Sequence, residues 1–324
     1  MQYPETVAYE DLNFGINNLS ATQNFNRINY QILPLDNGFV LVLQLEENPN
    51  KTLLRLGAHY DDLYKSAALV NLTRKSLFET NDVASLDVAL GDNFRYEFNY
   101  YIDKGFYWSV GLRSRFNSFD KGVSFNFAQE NAGLQGIGVN MLQVDYRDIT
   151  NQIYLETLFW EVFSLGLGLE HKNLKIISET LVAPSPEEPE SGVFDKSNYY
   201  SGFGYLKLDN FDNKYFPNEG WFFEGDFHWL LLSSGLRDDF SPFSIAKGKT
   251  EYVFSPTTRI STRISSEAGF RIGDRKNNIF DFFLGGYGND FINNFVPFYG
   301  YDFISLSGDS FIKAKLEVDY EIFR

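Results

Sequence analysis

The chain has 324 residues, of which 44% are apolar, 22% charged and 18% aromatic, with 33 Phe, 20 Tyr and 4 Trp. At a mean hydropathy of −0.27 this composition excludes a bundle of membrane-spanning helices, and so high an aromatic content excludes a disordered chain. A formal net charge of −15 excludes the concentrated basic surface that nucleic-acid phosphates require, and with no cysteine and three scattered histidines (His59, His171 and His228) neither a disulfide framework nor a local metal motif is expected.

The first elements are mixed in type. Leu12, Ile16 and Leu19 recur at helical spacing, and Ser20 to Asn24 follow as a turn. Arg27–Ile32 and Phe39–Leu45 read as two strands joined through Pro34-Leu35-Asp36-Asn37-Gly38, whose Asn-Gly pair is a hairpin signal. A helix and a hairpin are too little to hold a core, so residues 1–49 are expected to be part of a small α+β module whose beginning lies upstream.

From about Lys51 the hydrophobic period changes to two, as on strands whose side chains alternate between faces. Leu54/Leu56/Ala58/Tyr60, Leu86/Val88/Leu90, Trp108/Val110/Leu112, Leu142/Val144/Tyr146 and Leu165/Leu167/Leu169 mark short runs. Longer runs set Phe94, Tyr96, Phe98, Tyr100 and Ile102 against Arg95, Glu97, Asn99 and Tyr101. Likewise Trp221, Phe223, Gly225, Phe227, Trp229 and Leu231 oppose Phe222, Glu224, Asp226 and His228. Ile260 to Ile272 alternates with Arg259, Ser261, Arg263, Ser265, Glu267, Gly269 and Arg271, and Ile312 to Ile322 with Lys313, Lys315, Glu317, Asp319 and Glu321.

A soluble sandwich would alternate too, but its strands average about 5–6 residues, whereas these reach the ~9–11 needed to cross a membrane at a tilt. Glu97, Glu224, Asp226, Arg259, Arg263, Glu267 and Glu317 are therefore expected to face a wet lumen, where charges on neighbouring strands pair. His59 and His228 fall on the same inward faces as wetted structural histidines. Tyr60, Tyr100, Trp108, Tyr146, Trp221 and Trp229 are placed for interfacial girdles. The fold class is all-β: residues 50–324 form an antiparallel transmembrane β-barrel with about twelve to fourteen strands. Ala183 to Gly192, rich in Pro and Glu, reads as an acidic solvated loop between strands.

Three places carry a family resemblance. Asp209, Asp212, Asn213, Phe216, Pro217 and Gly220 stand in the pattern D-x-x-D-N-x-x-F-P-x-x-G, which resembles a signature of the BamA-like outer-membrane barrel superfamily, also called the bacterial surface antigen family. Phe282-Phe283-Leu284-Gly285-Gly286, then Phe298-Tyr299-Gly300-Tyr301, resemble the F-x-L-G-G and V-R-G-Y elements of its long sixth loop. The first fifty residues are similar to the end of a POTRA domain, the periplasmic module ahead of such barrels. Leu19–Phe25 and Leu56–Asp61 look like the Bacteroidetes branch, where a patatin-type phospholipase is often fused upstream. The resemblance implies a barrel of sixteen strands, so the chain is expected to be a fragment lacking the final strands.

One departure stands at the arginine of V-R-G-Y, where this chain has Tyr299. The loop-to-wall ion pair implied by the family cannot form as usual there. Gly285, Gly286 and Gly300 still allow tight backbone turns, and Tyr299 and Tyr301 are expected to wedge the loop inside by packing. No G-x-S-x-G elbow is present, and Ser307-Gly308-Asp309-Ser310 reads as a hairpin turn, so no catalytic residue, metal or cofactor is assigned.

What the resemblance implies is a non-enzymatic barrel in the bacterial outer membrane. Outer-membrane lipid surrounds it, and its POTRA-like module meets periplasmic polypeptide substrates. Its role is protein insertion or translocation, or the anchoring and export of a fused domain. The alternatives are the membrane anchor of a patatin-like phospholipase and a porin-like channel. In the insertion reading the first strand, Lys51 to Tyr60, belongs to a weak lateral seam.

Overall fold

The structure is a computed structural model and describes residues 7–21, 24–35, 38–104, 108–124, 141–159, 162–178, 193–213, 215–235, 240–273, 278–287 and 294–322. It divides into two compact units, Met1–Leu53 and Leu54–Arg324. In the first, helix α1 (Tyr9–Ala21) precedes an antiparallel hairpin of β1 (Phe25–Leu35) and β2 (Gly38–Glu47), in which Tyr30 faces Leu43. The Tyr9 and Tyr30 hydroxyls are 3.0 Å apart, tying helix to strand. Leu33, Leu35, Phe39, Leu41 and Leu45 of the hairpin are exposed.

Among the described residues, the second unit is built on one twelve-stranded antiparallel sheet. Its strands are β3 (Thr52–Asp61), β4 (Lys65–Lys75), β5 (Asp82–Gly91), β6 (Arg95–Ile102), β7 (Ser109–Ser124) and β8 (Met141–Phe159). The meander continues with β9 (Phe163–Ser178), β10 (Val193–Asp209), β11 (Gly220–Gly235), β12 (Phe243–Thr257) and β13 (Ile260–Gly273). Each pairs with the next, and a long connection then leads through β14 (Phe282–Leu284), β15 (Phe295–Val296) and β16 (Leu306–Gly308) to β17 (Ser310–Tyr320), which pairs with β13. The sheet therefore runs from β3 at one edge to β17 at the other. The short strands make a separate three-stranded sheet within the connection.

The alternation of the sequence becomes two unlike faces. Leu54, Leu56, Leu86, Leu90, Phe98, Leu112, Leu167, Leu169, Trp221, Phe227, Trp229, Ile264, Phe270, Ile272, Ile312, Leu316 and Val318 all stand exposed on one side. Among the described residues no second layer packs on them. So large an apolar surface on a folded protein needs a non-aqueous neighbour, and on tilted strands of this length that neighbour is lipid. No described helix is long and apolar enough to cross a membrane.

The opposite face curls around the long connection. Phe282 packs on Phe311 of β17, at 4.8 Å between ring centroids. Phe283 meets Phe295 at 5.5 Å, and Phe295 meets Phe119 of β7 at 5.8 Å. In a flat sheet β7 and β17 would lie roughly 34 Å apart, at about 4.8 Å per strand. One small loop touches both, so the sheet is rolled into a wall with the loop in its hollow.

Three readings of the sequence are corrected by this arrangement. Val144 and Tyr146 face inward and are buried, Tyr146 stacking on Phe119 at 4.8 Å. The loop turns this level of the inner face into an apolar core, so Tyr146 is no girdle residue. Along the β10–β11 ladder, Tyr200 of β10 faces Leu232 of β11 while Ser201 faces Leu230. This bulge skips Leu231, so that Leu230 enters the core and Leu232 is exposed. Ser307 to Ser310 is not a hairpin turn: β16 runs almost directly into β17, and Arg271 donates its backbone N–H to Asp309 O at 3.0 Å. The acidic stretch Ala183 to Gly192 lies outside the described residues.

Candidate functional site: the inner face and its loop

Away from the loop the inner face is a lattice of paired charges. Arg113 of β7 lies 3.4 Å from Glu97 of β6. Glu156 accepts hydrogen bonds from the Tyr101 hydroxyl at 2.8 Å and from the Tyr205 hydroxyl. His228 stands between Glu170 at 3.5 Å and Asp226 at 3.6 Å, with Gln152 donating to Glu170 at 2.6 Å. Glu267 pairs with Lys313 at 2.6 Å and lies 3.9 Å from Lys247, and Arg263 sits between Glu251 at 3.9 Å and Glu317 at 3.7 Å. Neighbouring strands thus supply opposite charges at matching heights. A cavity of about 600 Å³ remains among Arg115, Glu170, Lys172, Asp226, His228 and Lys249.

Phenylalanines seat the loop. Phe280, Phe282, Phe283, Phe295, Val296 and Phe303 are buried against Phe119, Tyr146, Tyr199, Phe243 and Ile245 of the wall and against Leu63 and Tyr64 of the β3–β4 turn. Gly269 on β13 makes room for them: a Cβ there would lie 2.5 Å from the Phe282 ring and 2.6 Å from the Phe311 ring. A salt bridge adds direction, with Arg271 Nη1 2.8 Å from Asp281 Oδ1 and the Arg271 side chain 1% exposed. The cation belongs to the wall and the carboxylate to the loop.

The far end of the loop is held by β17. Lys313 donates to Pro297 O at 3.0 Å, and the Lys315 ammonium lies 5.2 Å from the Tyr299 ring centroid. Gly285, Gly286 and Gly300 all have positive φ, and at Gly286 a Cβ would strike the Phe303 ring at 2.2 Å, so only glycine fits this turn. Tyr299 and Tyr301 are half exposed, at 58% and 50%. The wedge is made by phenylalanine.

The β3–β4 turn also folds over the inner face. Leu63 and Tyr64 are buried, and the Arg95 guanidinium lies 3.6 Å from the Tyr64 ring centroid. Burial pushes the Tyr64 hydroxyl up to about 12, against the opposing pull of Arg95. Asp62 reaches Lys121 at 2.6 Å and Lys65 at 3.0 Å, and hydrogen bonds from these ammonium groups hold its carboxyl down at about 2.

At the other end of the strands, the β10–β11 turn is built by its two acid-amide residues. Asp212 accepts from the backbone N–H of Asn218 at 2.8 Å and of Glu219 at 3.2 Å. Asn213 accepts from Tyr215 at 2.9 Å and Phe216 at 3.1 Å, while Asp209 accepts from Phe211 at 3.4 Å. Gly220, at φ +126, closes against Asn210 O, and Phe216 stands exposed beside a buried Pro217.

The residues singled out from the sequence therefore fall in three places. Glu97, Asp226, Arg263, Glu267 and Glu317 belong to the charge lattice, and Glu224 lines the same cavity. Arg259 lies ahead of β13 in the turn after β12, exposed, its carbonyl accepting from Glu321 N at 2.9 Å. His59 bonds Asp61 at 2.6 Å, and His171 bonds Asn198 at 3.1 Å. The Arg271–Asp281 pair was missed. Its signal was a lone acid between phenylalanines at 280–283 and an arginine ending the polar face of β13.

A rolled antiparallel wall, apolar outside, charged inside and filled by a folded loop, is that of an outer-membrane β-barrel protein. The family profile described as the OMP85 superfamily matches residues 39–324, and the chain belongs to that superfamily. Among solved structures it is similar to BamA from Haemophilus ducreyi lacking POTRA domains 1–3, at 13% identity and a TM-score of 0.59, covering 98% of this chain and 62% of that one. It is also similar to CdiB from Acinetobacter baumannii (16% identity, TM-score 0.51, 99% of this chain and 57% of that one). CdiB from Escherichia coli matches at 13% identity and a TM-score of 0.60, over 99% of this chain and 57% of that one. The chain thus spans about three fifths of the length of these structures. No curated protein sequence matches it.

Proposed function

We propose that this chain forms part of an outer-membrane barrel that inserts or translocates polypeptides, with β3 as the strand where a polypeptide edge docks. The observation that supports this reading is β3 itself. It is an edge of the twelve-stranded sheet, with Leu54, Leu56 and Tyr60 exposed on its outer side and Arg55, Gly57 and His59 alternating inward. An edge offers unpaired backbone groups to an incoming strand, and in a membrane those groups must find partners. The membership in the OMP85 superfamily and the loop-filled inner face favour this role over that of an open porin. The α1–β1–β2 unit, with its exposed apolar hairpin, is read as the end of a POTRA-type module that meets the substrate in the periplasm. By the rule of short periplasmic turns and long external loops, the end of the sheet at which β13 leads through β14, β15 and β16 to β17 faces outside. The experiment is hydrogen exchange on the full-length protein in detergent. Residues 52–61 are expected to exchange faster than β4 to β13, and protection of β3 equal to its neighbours would overturn the docking role.

A further inference from the structure

The outer face changes character along β8, β9 and β10. From mid-strand towards the side of the long connections, β9 presents Leu165, Leu167 and Leu169, then His171 and Asn173, then Lys175. The flanking strands follow this order only in part, since Ile149 on β8 stands opposite Asn173 between Asn151 and Arg147, and on β9 Ile177 follows Lys175. On β10 the outward residues are Leu206, Gly204, Gly202, Tyr200, Asn198 and Lys196, and on β8 they are Leu155, Ile153, Asn151, Ile149 and Arg147. Their inward neighbours Asp148, Thr150, Glu170, Leu174, Ser197 and Tyr199 are buried, which fixes the outward direction of the series.

Three layers result, and strand pairing brings each into line. In the lowest, a shallow outer groove of about 460 Å³ is bordered by Leu112, Ile153, Leu169, Tyr200 and Leu232. Above it runs a chain of neutral hydrogen-bonding groups. Ser114 donates to Asn151 at 2.8 Å, Asn151 meets His171 at 3.4 Å, His171 meets Asn198 at 3.1 Å, and Asn173 donates to Asn198 at 2.8 Å. Uppermost is a row of cations, with Arg147 directly opposite Lys175 and Lys175 directly opposite Lys196. Arg147 is paired with Asp145 of its own strand at 2.9 Å. Lys175 and Lys196 face each other across the ladder, an arrangement that repels unless an anion lies between them.

From this order we infer that the outer face of β8–β10 is a binding site for a phosphorylated glycolipid of the external leaflet, its phosphate on Lys175 and Lys196. The stacking of the layers matches that of such a lipid from the membrane outwards: acyl chain, then amide and hydroxyl groups, then phosphate. Leu169 and Lys175 are six residues apart on one strand, about 20 Å at ~3.3 Å per residue, which a tilt of about 40° reduces to roughly 15 Å along the membrane normal. The site needs only the outer-membrane setting, not the polypeptide role proposed above.

The test uses the full-length protein in detergent and a Lys175→Gln/Lys196→Gln double variant. Thermal stabilisation by purified diphosphorylated lipid A is titrated, with dephosphorylated lipid A, phosphatidylglycerol and inorganic phosphate as the other arms. The wild type is expected to respond to diphosphorylated lipid A alone, and the double variant to need at least tenfold more of it. Because the substitutions remove a repulsion, the lipid-free variant should melt no earlier than the wild type. A Lys175→Arg/Lys196→Arg variant should bind as the wild type does. Equal affinity in the Gln variant would overturn the site. A response to inorganic phosphate or to phosphatidylglycerol matching that to lipid A would overturn the assignment to a glycolipid.

Discussion

Replacing Asp281 by Asn asks whether one salt bridge keeps the loop in the hollow of the wall. The pair is tight and dry, with Arg271 Nη1 2.8 Å from Asp281 Oδ1 and side-chain exposures of 1% and 14%. The guanidinium also lies 5.0 Å from the Phe243 ring centroid, so its position is fixed by the wall. Asparagine keeps the shape of the side chain and removes its charge. Breaking a buried pair in this way costs about 3–5 kcal/mol, and the residual contact of Asp281 with water points to the lower end, about 3 kcal/mol. At about 1.36 kcal/mol per decade, that is roughly a hundredfold in the equilibrium between seated and released loop. The chain has no cysteine, so a single Val296→Cys substitution, at a position 1% exposed, gives a clean reporter of release. Maleimide labelling of Val296→Cys should be slow, and the Val296→Cys/Asp281→Asn protein should label about a hundredfold faster under conditions where reclosing outpaces reaction. Labelling rates within twofold of each other would refute the role of the pair and leave the anchoring to the phenylalanines and to Lys313 and Lys315 of β17.

Two further outcomes follow from the same geometry. Gly269→Ala puts a methyl group against the Phe282 and Phe311 rings and should cost about 1–3 kcal/mol by overpacking; Phe282→Leu should recover part of this in the double variant, and strictly additive losses in thermal unfolding would show that the two positions do not meet. Asp62, held at about 2 by Lys121 and Lys65, has its folded value below its unfolded one, so its contribution is present above about pH 4 and disappears as pH falls through 2. The difference in melting temperature between wild type and Asp62→Asn should accordingly be larger at pH 5 than at pH 2, with the wild type ahead.

How much of the candidate site was legible in the sequence depended on how local the signal was. On β13 and β17 the two-residue period is unbroken, so each strand read alone put Arg263, Glu267, Lys313 and Glu317 on the charged face, and the structure adds the pairs Arg263–Glu317 and Glu267–Lys313. Asp212 and Asn213 act on backbone N–H groups two to seven residues away, so a short pattern carried the whole turn. The same period misplaced Tyr146, because strand alternation separates two faces without saying which of them meets water, lipid or another part of the chain. It missed Arg271 and Asp281 because the turn between them lies across a stretch with no periodicity at all.

The sequence by itself determined a wall of long strands with one greasy and one charged side, since a period of two and strand length are properties of each segment alone. The roll of that wall and the occupant of its hollow were decided only in the tertiary structure. Phe282, Phe295 and Asp281 find Phe311, Phe119 and Arg271 on β17, β7 and β13, and contacts between residues so distant along the chain exist only once the sheet has curved enough to bring its strands around one loop.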